Sequence, residues 1–188
     1  MSNQAQHISV LLREAIEALE LKPSGTYIDG TLGAGGHAFE IASRLDPAQG
    51  GQLIGFDLDP KAIEIAKSKL KTFGEFVNLI NKSYAEMGAE LEKLDTDGVD
   101  GILLDLGYSS MQINDPERVF SFQRDAPLDM RFNPSQSLTA AKLINELSKE
   151  QLIRIFRGYG EERWSARIAE RIVEARAKAR IETTARLS

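Results

Sequence analysis

Thr-Tyr-Ile-Asp-Gly-Thr-Leu-Gly-Ala-Gly-Gly-His, residues 26 to 37, is the stretch of sequence that decides the fold. Tyr27 and Ile28 suit a buried strand, and the four glycines that follow let the backbone turn sharply and approach a ligand closely. Residues 38 to 45 then have the pattern of a helix. A strand, a glycine loop and a helix N-terminus in this order are typical of a nucleotide-binding loop in an α/β protein.

The glycine loop fits two classes of cofactor. Gly33, Gly35 and Ala38 match the G-x-G-x-x-G/A fingerprint of dinucleotide-binding proteins, and Asp57 lies about 20 residues further on, where that fingerprint has a ribose-binding acid. Asp29, however, precedes the glycines at the end of the strand. An acid there suits the amino or ribose groups of S-adenosylmethionine and sits poorly beside a pyrophosphate. The sequence therefore favours S-adenosylmethionine over NAD, and a glycine turn that binds no ligand is the third alternative.

The composition excludes several classes of site. The 188 residues are 42% hydrophobic and 27% charged, which is ordinary for a globular protein with a substantial core. There is no cysteine, and His7 and His37 are the only histidines, so we expect no disulfide, no thiolate chemistry and no metal site. No apolar run approaches the roughly 18 residues of a membrane span, so we expect a cytoplasmic protein without a membrane partner.

The formal charge of −5 is spread unevenly along the chain. Residues 1 to 150 carry 14 Lys and Arg against 23 Asp and Glu, whereas residues 151 to 188 carry 9 against 5. The basic segment is therefore a candidate for contact with RNA phosphates. An ordinary solvated helix face is the alternative interpretation.

Three more apolar runs have the length of strands, and each alternates with a helical pattern. They cover residues 52 to 56, 76 to 80 and 99 to 106. Asp59 and Pro60 provide a cap and a first residue for the helix that follows the second strand. Four strands that alternate with helices predict a doubly wound α/β fold with a parallel sheet and right-handed crossovers.

The carboxyl ends of the four predicted strands carry chemically useful side chains, namely Asp29, Asp57, Tyr84 and Asp105. Asp57 can accept two hydrogen bonds from ribose hydroxyls, and Tyr84 can stack on an adenine or else be buried in the core. Ligands of doubly wound sheets bind at this edge, beside the point where the strand order reverses. We therefore expect the cofactor to lie across these four strand ends.

About 30 residues after Gly107 lack helical or strand periodicity but are rich in aromatic and polar groups, which is typical of a functional loop. Phe120 and Phe122 alternate there with Arg118 and Arg124. These rings can stack on a base while the arginines hold phosphate, or the rings can pin the loop to the core.

The C-terminal part has helical patterns. Ser148 and Gln151 form the sequence of a capping box, which predicts the start of a helix. A longer helix is predicted over residues 161 to 180, with a stripe of apolar residues spaced four apart that we expect to face the core. This stripe consists of Trp164, Ile168 and Ile172.

Together these motifs resemble the bacterial ribosomal RNA small-subunit methyltransferase H (MraW/RsmH) family, and the resemblance covers nearly the whole chain. The matching runs are His7 with residues 10 to 12, residues 29 to 37, 57 to 60, 105 to 107 with 109, 110 and 112, 120 to 122, 127 to 131 and 159 to 162. Tyr108 departs from the family, which usually has Val at this position. The fold implied is that of a class I S-adenosylmethionine-dependent methyltransferase. This is a Rossmann-like α/β fold whose parallel sheet has helices on both faces.

The resemblance also implies a reaction and a set of site residues. The reaction is S-adenosylmethionine-dependent methylation of the N4 amine of a cytidine in 16S ribosomal RNA, with small-subunit ribosomal RNA or the 30S subunit as the partner. The candidate cofactor-binding residues, with Gly33 added from the fingerprint, are Gly33, Gly35, Gly36, His37, Asp57, Tyr84, Asp105 and Gln112. Asp105 is also the candidate catalytic residue, because it can orient the amine or the cofactor. The candidate substrate-binding residues are Tyr108, Ser109, Ser110, Arg118, Phe120 and Phe122.

Members of this family run well past 188 residues and resume the sheet after a helical insertion that starts near Asp115. We therefore expect a methyltransferase core over residues 1 to 114 and the start of a helical inserted domain over residues 115 to 188. The C-terminal strands would then be absent and the fourth strand would be an open apolar edge. A truncated fragment that binds cofactor or RNA without methylating is the alternative function. The oligomeric state stays open, with a dimer among the alternatives.

Overall fold

The computed structural model describes residues 10 to 108 and 125 to 188. It divides into two compact units, residues 1 to 107 and residues 108 to 188. The predicted boundary between residues 114 and 115 lies outside the described residues. So do several predicted site residues, which are Ser109, Ser110, Gln112, Arg118, Phe120 and Phe122.

The first unit is built on a parallel sheet of four strands in the order β3-β2-β1-β4. The strands are β1 (Thr26–Asp29), β2 (Gln52–Phe56), β3 (Val77–Ile80) and β4 (Gly101–Leu103). The chain adds strands on one side of β1 as far as β3 and then returns to the other side of β1 with β4. The strand order therefore reverses beside β1, and the predicted parallel α/β architecture is confirmed.

Helices cover both faces of this sheet, namely α1 (Leu12–Ala18), α2 (Gly36–Ala42), α3 (Pro60–Leu70) and α4 (Met87–Lys93). Because side chains alternate along a strand, Tyr27 and Leu53 pack on one face with residues of α1, α2 and α3. Ile28 and Ile54 pack on the other face, against Met87 of α4. Short 3-10 turns occur at Pro47–Gln49, Lys71–Phe76 and Tyr84–Glu86.

Helix α3 forms as its sequence predicts. The Asp59 carboxylate accepts the N–H of Lys61 at 2.9 Å and caps the helix, and Pro60 is the first helical residue. The apolar face is buried along its whole length, at Ala62, Ile63, Ala66 and Leu70. The cap and the buried face fix the start of α3. Asp57, which lies between the end of β2 and the cap, is thereby held next to the glycine loop.

Strand β4 is shorter than the apolar run from residue 99 to residue 106 predicts. Among the described residues it pairs only with β1, and that pairing ends at Asp29 and Leu103 because β1 itself ends there. Leu104 and Leu106 follow the strand and are exposed. Within the sheet that the described residues form, β4 lies at the edge.

The second unit is helical and contains α5 (Ala140–Glu146), α6 (Lys149–Gly158), α7 (Ser165–Lys178) and α8 (Thr184–Leu187). The predicted capping box is present at the start of α6, where Ser148 and Gln151 bond each other's backbone N–H groups. The core of this unit consists of Leu128, Ile144, Leu152, Ala169, Ile172 and Ile181. No helix in the described parts of either unit is long and apolar enough to cross a membrane.

The predicted apolar stripe of the long helix is wrong at its first two positions. Trp164 is 65% exposed and Ile168 is also exposed, whereas Ile172 is buried. The helix starts at Ser165, so Trp164 is the residue before it. The face that packs on the core instead starts with Ser165 and continues through Ala169 to Ile172.

Candidate cofactor-binding site

The glycine loop leaves the sheet directly after β1, and two glycines define its course. Gly33 has a φ of +52° and Gly35 a φ of +74°, which are left-handed conformations that glycine adopts without steric cost. Gly35 also packs on α3, where a methyl group in place of its hydrogen would lie 3.3 Å from the Cβ of Ala66. The loop therefore needs glycine at position 35 both for its conformation and for its packing.

Asp57 lies beside this loop at the end of β2. One carboxylate oxygen, Oδ2, accepts the N–H of Gly33 at 2.8 Å, and the other, Oδ1, accepts the N–H of Asp59 at 2.8 Å. The side chain of Asn81, which follows β3, donates to the Asp57 carbonyl at 2.8 Å. Since each carboxylate oxygen has capacity for more than one hydrogen bond, this fixed carboxylate suits the ribose hydroxyls expected there.

Asp29, at the end of β1, is a fully buried carboxyl group. Its Oδ1 accepts the N–H of Thr31 at 3.2 Å, but among the described residues its Oδ2 has no hydrogen-bond partner. The pKa of Asp29 is raised to about 7, chiefly by burial and to a smaller extent by the nearby carboxylates of Asp57 and Asp105, against a lowering by the Thr31 N–H. A buried acid with one unpartnered oxygen fits a ligand that brings a cationic N–H donor, such as the amino group of S-adenosylmethionine.

Asp105 lies two residues beyond the end of β4 and is exposed. Its backbone N–H donates to the side-chain hydroxyl of Thr31 at 2.7 Å. The hydrogen bond from the Gly30 N–H to the Leu103 carbonyl, at 2.9 Å, holds the end of β4 against the same loop. The candidate catalytic acid is thus brought to the glycine loop by a side-chain contact.

Tyr84 begins a 3-10 turn after β3 and is 37% exposed, so burial in the core is not its state in this structure. Its Cβ lies 3.1 Å from the position that a methyl group on Gly30 would occupy. The residue therefore stands next to the start of the glycine loop. Its contact with an adenine ring stays a prediction.

His37, in the first turn of α2, is buried. Its Nε2 lies 3.1 Å from the carbonyl oxygen of Val10, and since a carbonyl can only accept, Nε2 carries the proton in this bond. The ring thus joins the segment before α1 to the helix after the glycine loop. Cofactor contacts by Gly36 and His37 remain predictions.

The structure brings most of the described candidate residues to the end of the sheet where the carboxyl ends of its strands lie. They are Gly33, Gly35, Gly36, His37, Asp57, Tyr84 and Asp105. The candidate substrate residue Tyr108 lies in the second unit, where its exposed ring stacks on Phe132 with the centroids 5.6 Å apart and the planes 13° apart.

Sequence reasoning missed Thr31 and Asn81 as residues that support the site. Thr31 carries a hydroxyl inside a loop that otherwise consists mainly of glycine and apolar residues, and Asn81 directly follows β3. A polar side chain at each of these positions indicates a hydrogen bond to a neighbouring segment. The partners, Asp105 and Asp57, are distant in sequence, so only the fold identifies them.

Comparison with known proteins gives a family match over almost the entire chain. Residues 4–188 match the model of the MraW methylase family. A protein of Geobacter sulfurreducens described as ribosomal RNA small subunit methyltransferase H is 49% identical over 181 residues, which are 96% of this chain and 58% of that protein. A protein of Symbiobacterium thermophilum with the same description is 48% identical over 181 residues, which are 96% of this chain and 56% of that protein. The chain therefore spans a little more than half the length of these relatives.

Proposed function

Because the chain belongs to the MraW methylase family, we propose that it acts as an S-adenosylmethionine-dependent methyltransferase on small-subunit ribosomal RNA. The observation that carries the proposal is the Asp57 carboxylate, which accepts the Gly33 N–H at 2.8 Å. This pair lies at the carboxyl ends of the strands, beside the point where the strand order reverses. The relatives described as ribosomal RNA small subunit methyltransferase H support the substrate class. The partner is then small-subunit ribosomal RNA or the 30S subunit, and the location is cytoplasmic.

The residues at this edge have the chemistry to hold S-adenosylmethionine. Asp57 accepts hydrogen bonds from the ribose hydroxyls, Asp29 accepts one from the amino group, and Tyr84 contacts the adenine. When bound, the cofactor supplies an electrophilic methyl group on a positively charged sulfur. The carboxylates of Asp57 and Asp105 raise the pKa of the buried Asp29, so a ligand that brings a positive charge would favour the ionised form of Asp29.

The methyl acceptor that we propose is the N4 amine of a cytidine. Its lone pair is delocalised into the ring, so the enzyme has to orient the nitrogen and accept a hydrogen bond from it. The Asp105 carboxylate is exposed at the end of β4 and suits this role. As the nitrogen takes the methyl group from the sulfonium, which would leave as a neutral thioether, it would release one proton, and the Asp105 carboxylate would accept this proton and pass it to water.

The cytosine has to flip out of the stacked RNA bases before its amine can be reached. An aromatic side chain stabilises the flipped-out base by stacking on it. Tyr108 is a candidate for such a surface, because its ring is exposed and stacks on Phe132. The candidate substrate residues Phe120 and Phe122 would act in the same way, with Ser109, Ser110 and Arg118 as polar contacts to the RNA.

A second candidate function is binding without methylation. Its support is the cofactor site itself, because the Asp57 carboxylate and the glycine loop can hold S-adenosylmethionine whether or not a methyl group is transferred. The family match over residues 4–188 does not separate the two functions, because both need the same cofactor site.

A methylation assay separates these functions. The chain is incubated with S-adenosylmethionine and 30S subunits that lack the modification, and the nucleosides of the digested RNA are analysed by mass spectrometry. We expect N4-methylcytidine with the wild-type chain and at least tenfold less with Asp105→Ala. Cofactor binding without any methylated nucleoside would establish the binding function instead, and methylation at another atom would overturn the cytidine N4 assignment.

A further inference from the structure

Thr31 connects two of the acids that meet at the glycine loop. Its backbone N–H donates to Oδ1 of Asp29 at 3.2 Å, and its side-chain Oγ1 accepts the backbone N–H of Asp105 at 2.7 Å. Asp105 lies 74 residues further along the chain, on the other side of β1 from β2. One residue therefore joins the end of β1 to the segment that carries the candidate catalytic acid.

The hydroxyl of Thr31 replaces a backbone acceptor. The pairing of β1 with β4 ends at Asp29 and Leu103, and the bond from the Gly30 N–H to the Leu103 carbonyl follows directly. Beyond this point the loop turns away, and the N–H of Asp105 is satisfied by the side chain of Thr31. The hydrogen bond thus extends the contact between the two strands past the point where the backbone ladder stops.

Burial contributes only part of the position of Asp105. Asp105 and Leu106 are exposed, and Leu104 is 44% exposed although one of its methyl groups lies beside Gly30. A short segment with exposed side chains gains little from the hydrophobic effect and depends on its hydrogen bonds for its position. The contact with Thr31 is therefore well placed to set where the Asp105 carboxylate stands.

We propose that Thr31 is a positioning residue that holds Asp105 against the glycine loop, so that the Asp105 carboxylate reaches the cofactor. This role rests on the proposed function together with the sequence-based prediction that Asp105 also contacts S-adenosylmethionine. Thr31 acts through Asp105 and does not itself meet the reacting atoms.

The choice of variants follows from the single atom involved. Thr31→Val keeps the branched shape but removes the accepting oxygen, whereas Thr31→Ser keeps the oxygen and removes a methyl group. The Asp105 N–H belongs to an exposed segment and can bond water when the hydroxyl is absent. Both variants are therefore expected to fold, with melting temperatures within a few degrees of the wild type.

The first test measures the position of Asp105 without any ligand. Hydrogen exchange of the Asp105 amide is followed by NMR in the wild type, in Thr31→Val and in Thr31→Ser. We expect exchange at least tenfold faster in Thr31→Val and close to the wild-type rate in Thr31→Ser. Equal exchange in the wild type and in Thr31→Val would overturn the proposal.

The second test is a double-mutant cycle on the affinity for S-adenosylmethionine, measured by calorimetry. We expect Thr31→Val to raise the Kd about fivefold in the wild-type background, as the loss of one hydrogen bond would, and Thr31→Ser to leave it within twofold. In an Asp105→Ala background, which keeps the backbone N–H but lacks the carboxylate, Thr31→Val should have no further effect. An equal effect in both backgrounds would show that Thr31 acts without Asp105.

The two tests separate this proposal from the proposed function. A wild-type chain that does not bind S-adenosylmethionine contradicts the proposed function, and the hydrogen-exchange rates still decide whether Thr31 holds Asp105. If the wild type and Thr31→Val bind the cofactor equally tightly, only the positioning role is overturned.

Discussion

Asp29 is a residue whose burial is hard to explain by folding alone. A carboxyl group that is fully buried and has one unpartnered oxygen destabilises the protein that contains it. Its neighbours, the carboxylates of Asp57 and Asp105, add to that cost when they are ionised. A ligand that brings a positive charge and an N–H donor removes both penalties, which is consistent with a cofactor site at this edge.

The pKa of Asp29 makes stability depend on pH in a defined direction. The pKa is about 7 in the folded chain and near 3.8 in the unfolded chain, so between these values only the folded chain holds the proton. The contribution of Asp29 to the free energy of unfolding is therefore present at low pH and is lost as pH rises towards 7.

Urea unfolding of the wild type and of Asp29→Asn at pH 5 and pH 8 measures this dependence. We expect the stability of the wild type relative to the variant to fall by roughly 2 to 3 kcal/mol from pH 5 to pH 8. The same difference at both pH values would mean that Asp29 does not titrate in this range.

Individual residues were predictable where their role depends on nearby sequence. Asp59 was predicted as a cap because Pro60 and an apolar face follow it, and the structure confirms the cap. Asp57 was placed beside the glycine loop because both lie at strand ends. The role of Thr31 was not predictable, since a hydrogen bond to a backbone N–H 74 residues away leaves no local pattern.

The helices show the same difference between local and distant causes. Helix α3 was predicted because its cap, its proline and its buried face all agree. The apolar face of α7 was misassigned, because the buried face starts with the small polar residue Ser165 and the exposed Trp164 precedes the helix. Hydrophobic spacing gives the period of a helix, but only packing shows which residue begins its buried face.

Strand β4 was predicted too long for a related reason. The apolar run from residue 99 to residue 106 has the composition of a strand throughout, but strand pairing needs a partner. The partner β1 ends at Asp29, so β4 ends at Leu103. The length of a strand in a sheet is thus set by its neighbour, which the local sequence does not reveal.

Packing between α2 and α3 gives a prediction for Gly35, the residue that precedes α2. Gly35 and Gly50 both have left-handed backbones, so alanine at either position is expected to cost about 1 kcal/mol in stability. Gly35 also touches Ala66 on α3, whereas a methyl group on Gly50 would meet no atom within 4 Å.

We therefore expect Gly35→Ala to lower the free energy of unfolding by about 1 kcal/mol more than Gly50→Ala does, because its methyl group overpacks the contact with α3. Urea unfolding of the two variants measures the difference. Equal losses would show that the helices can separate slightly without cost.

For the molecule as a whole, the exposed edge of the sheet predicts self-association. β4 is an edge strand in the described sheet, and Ile102 on it is 45% exposed. Exposed apolar edge strands pair with other chains, and a lysine on the edge prevents such pairing. Ile65 on α3 has a similar exposure, 43%, and provides a matched control on a helix.

Sedimentation velocity at several protein concentrations tests this prediction. We expect any association of the wild type to be reduced at least severalfold by Ile102→Lys and to be unchanged by Ile65→Lys. A wild type that stays monomeric at all concentrations, or that is affected equally by both variants, would contradict a role for the edge of β4.

The most direct test of the cofactor site is calorimetric titration of this chain with S-adenosylmethionine. The wild type is expected to bind S-adenosylmethionine and not NAD. Asp57→Asn, which keeps one accepting oxygen, is expected to bind S-adenosylmethionine about tenfold more weakly, because a charged acceptor for the ribose hydroxyls is lost. A folded chain that fails to bind S-adenosylmethionine, or that binds NAD instead, would contradict the assignment of the glycine loop and Asp57 as a methyl-donor site.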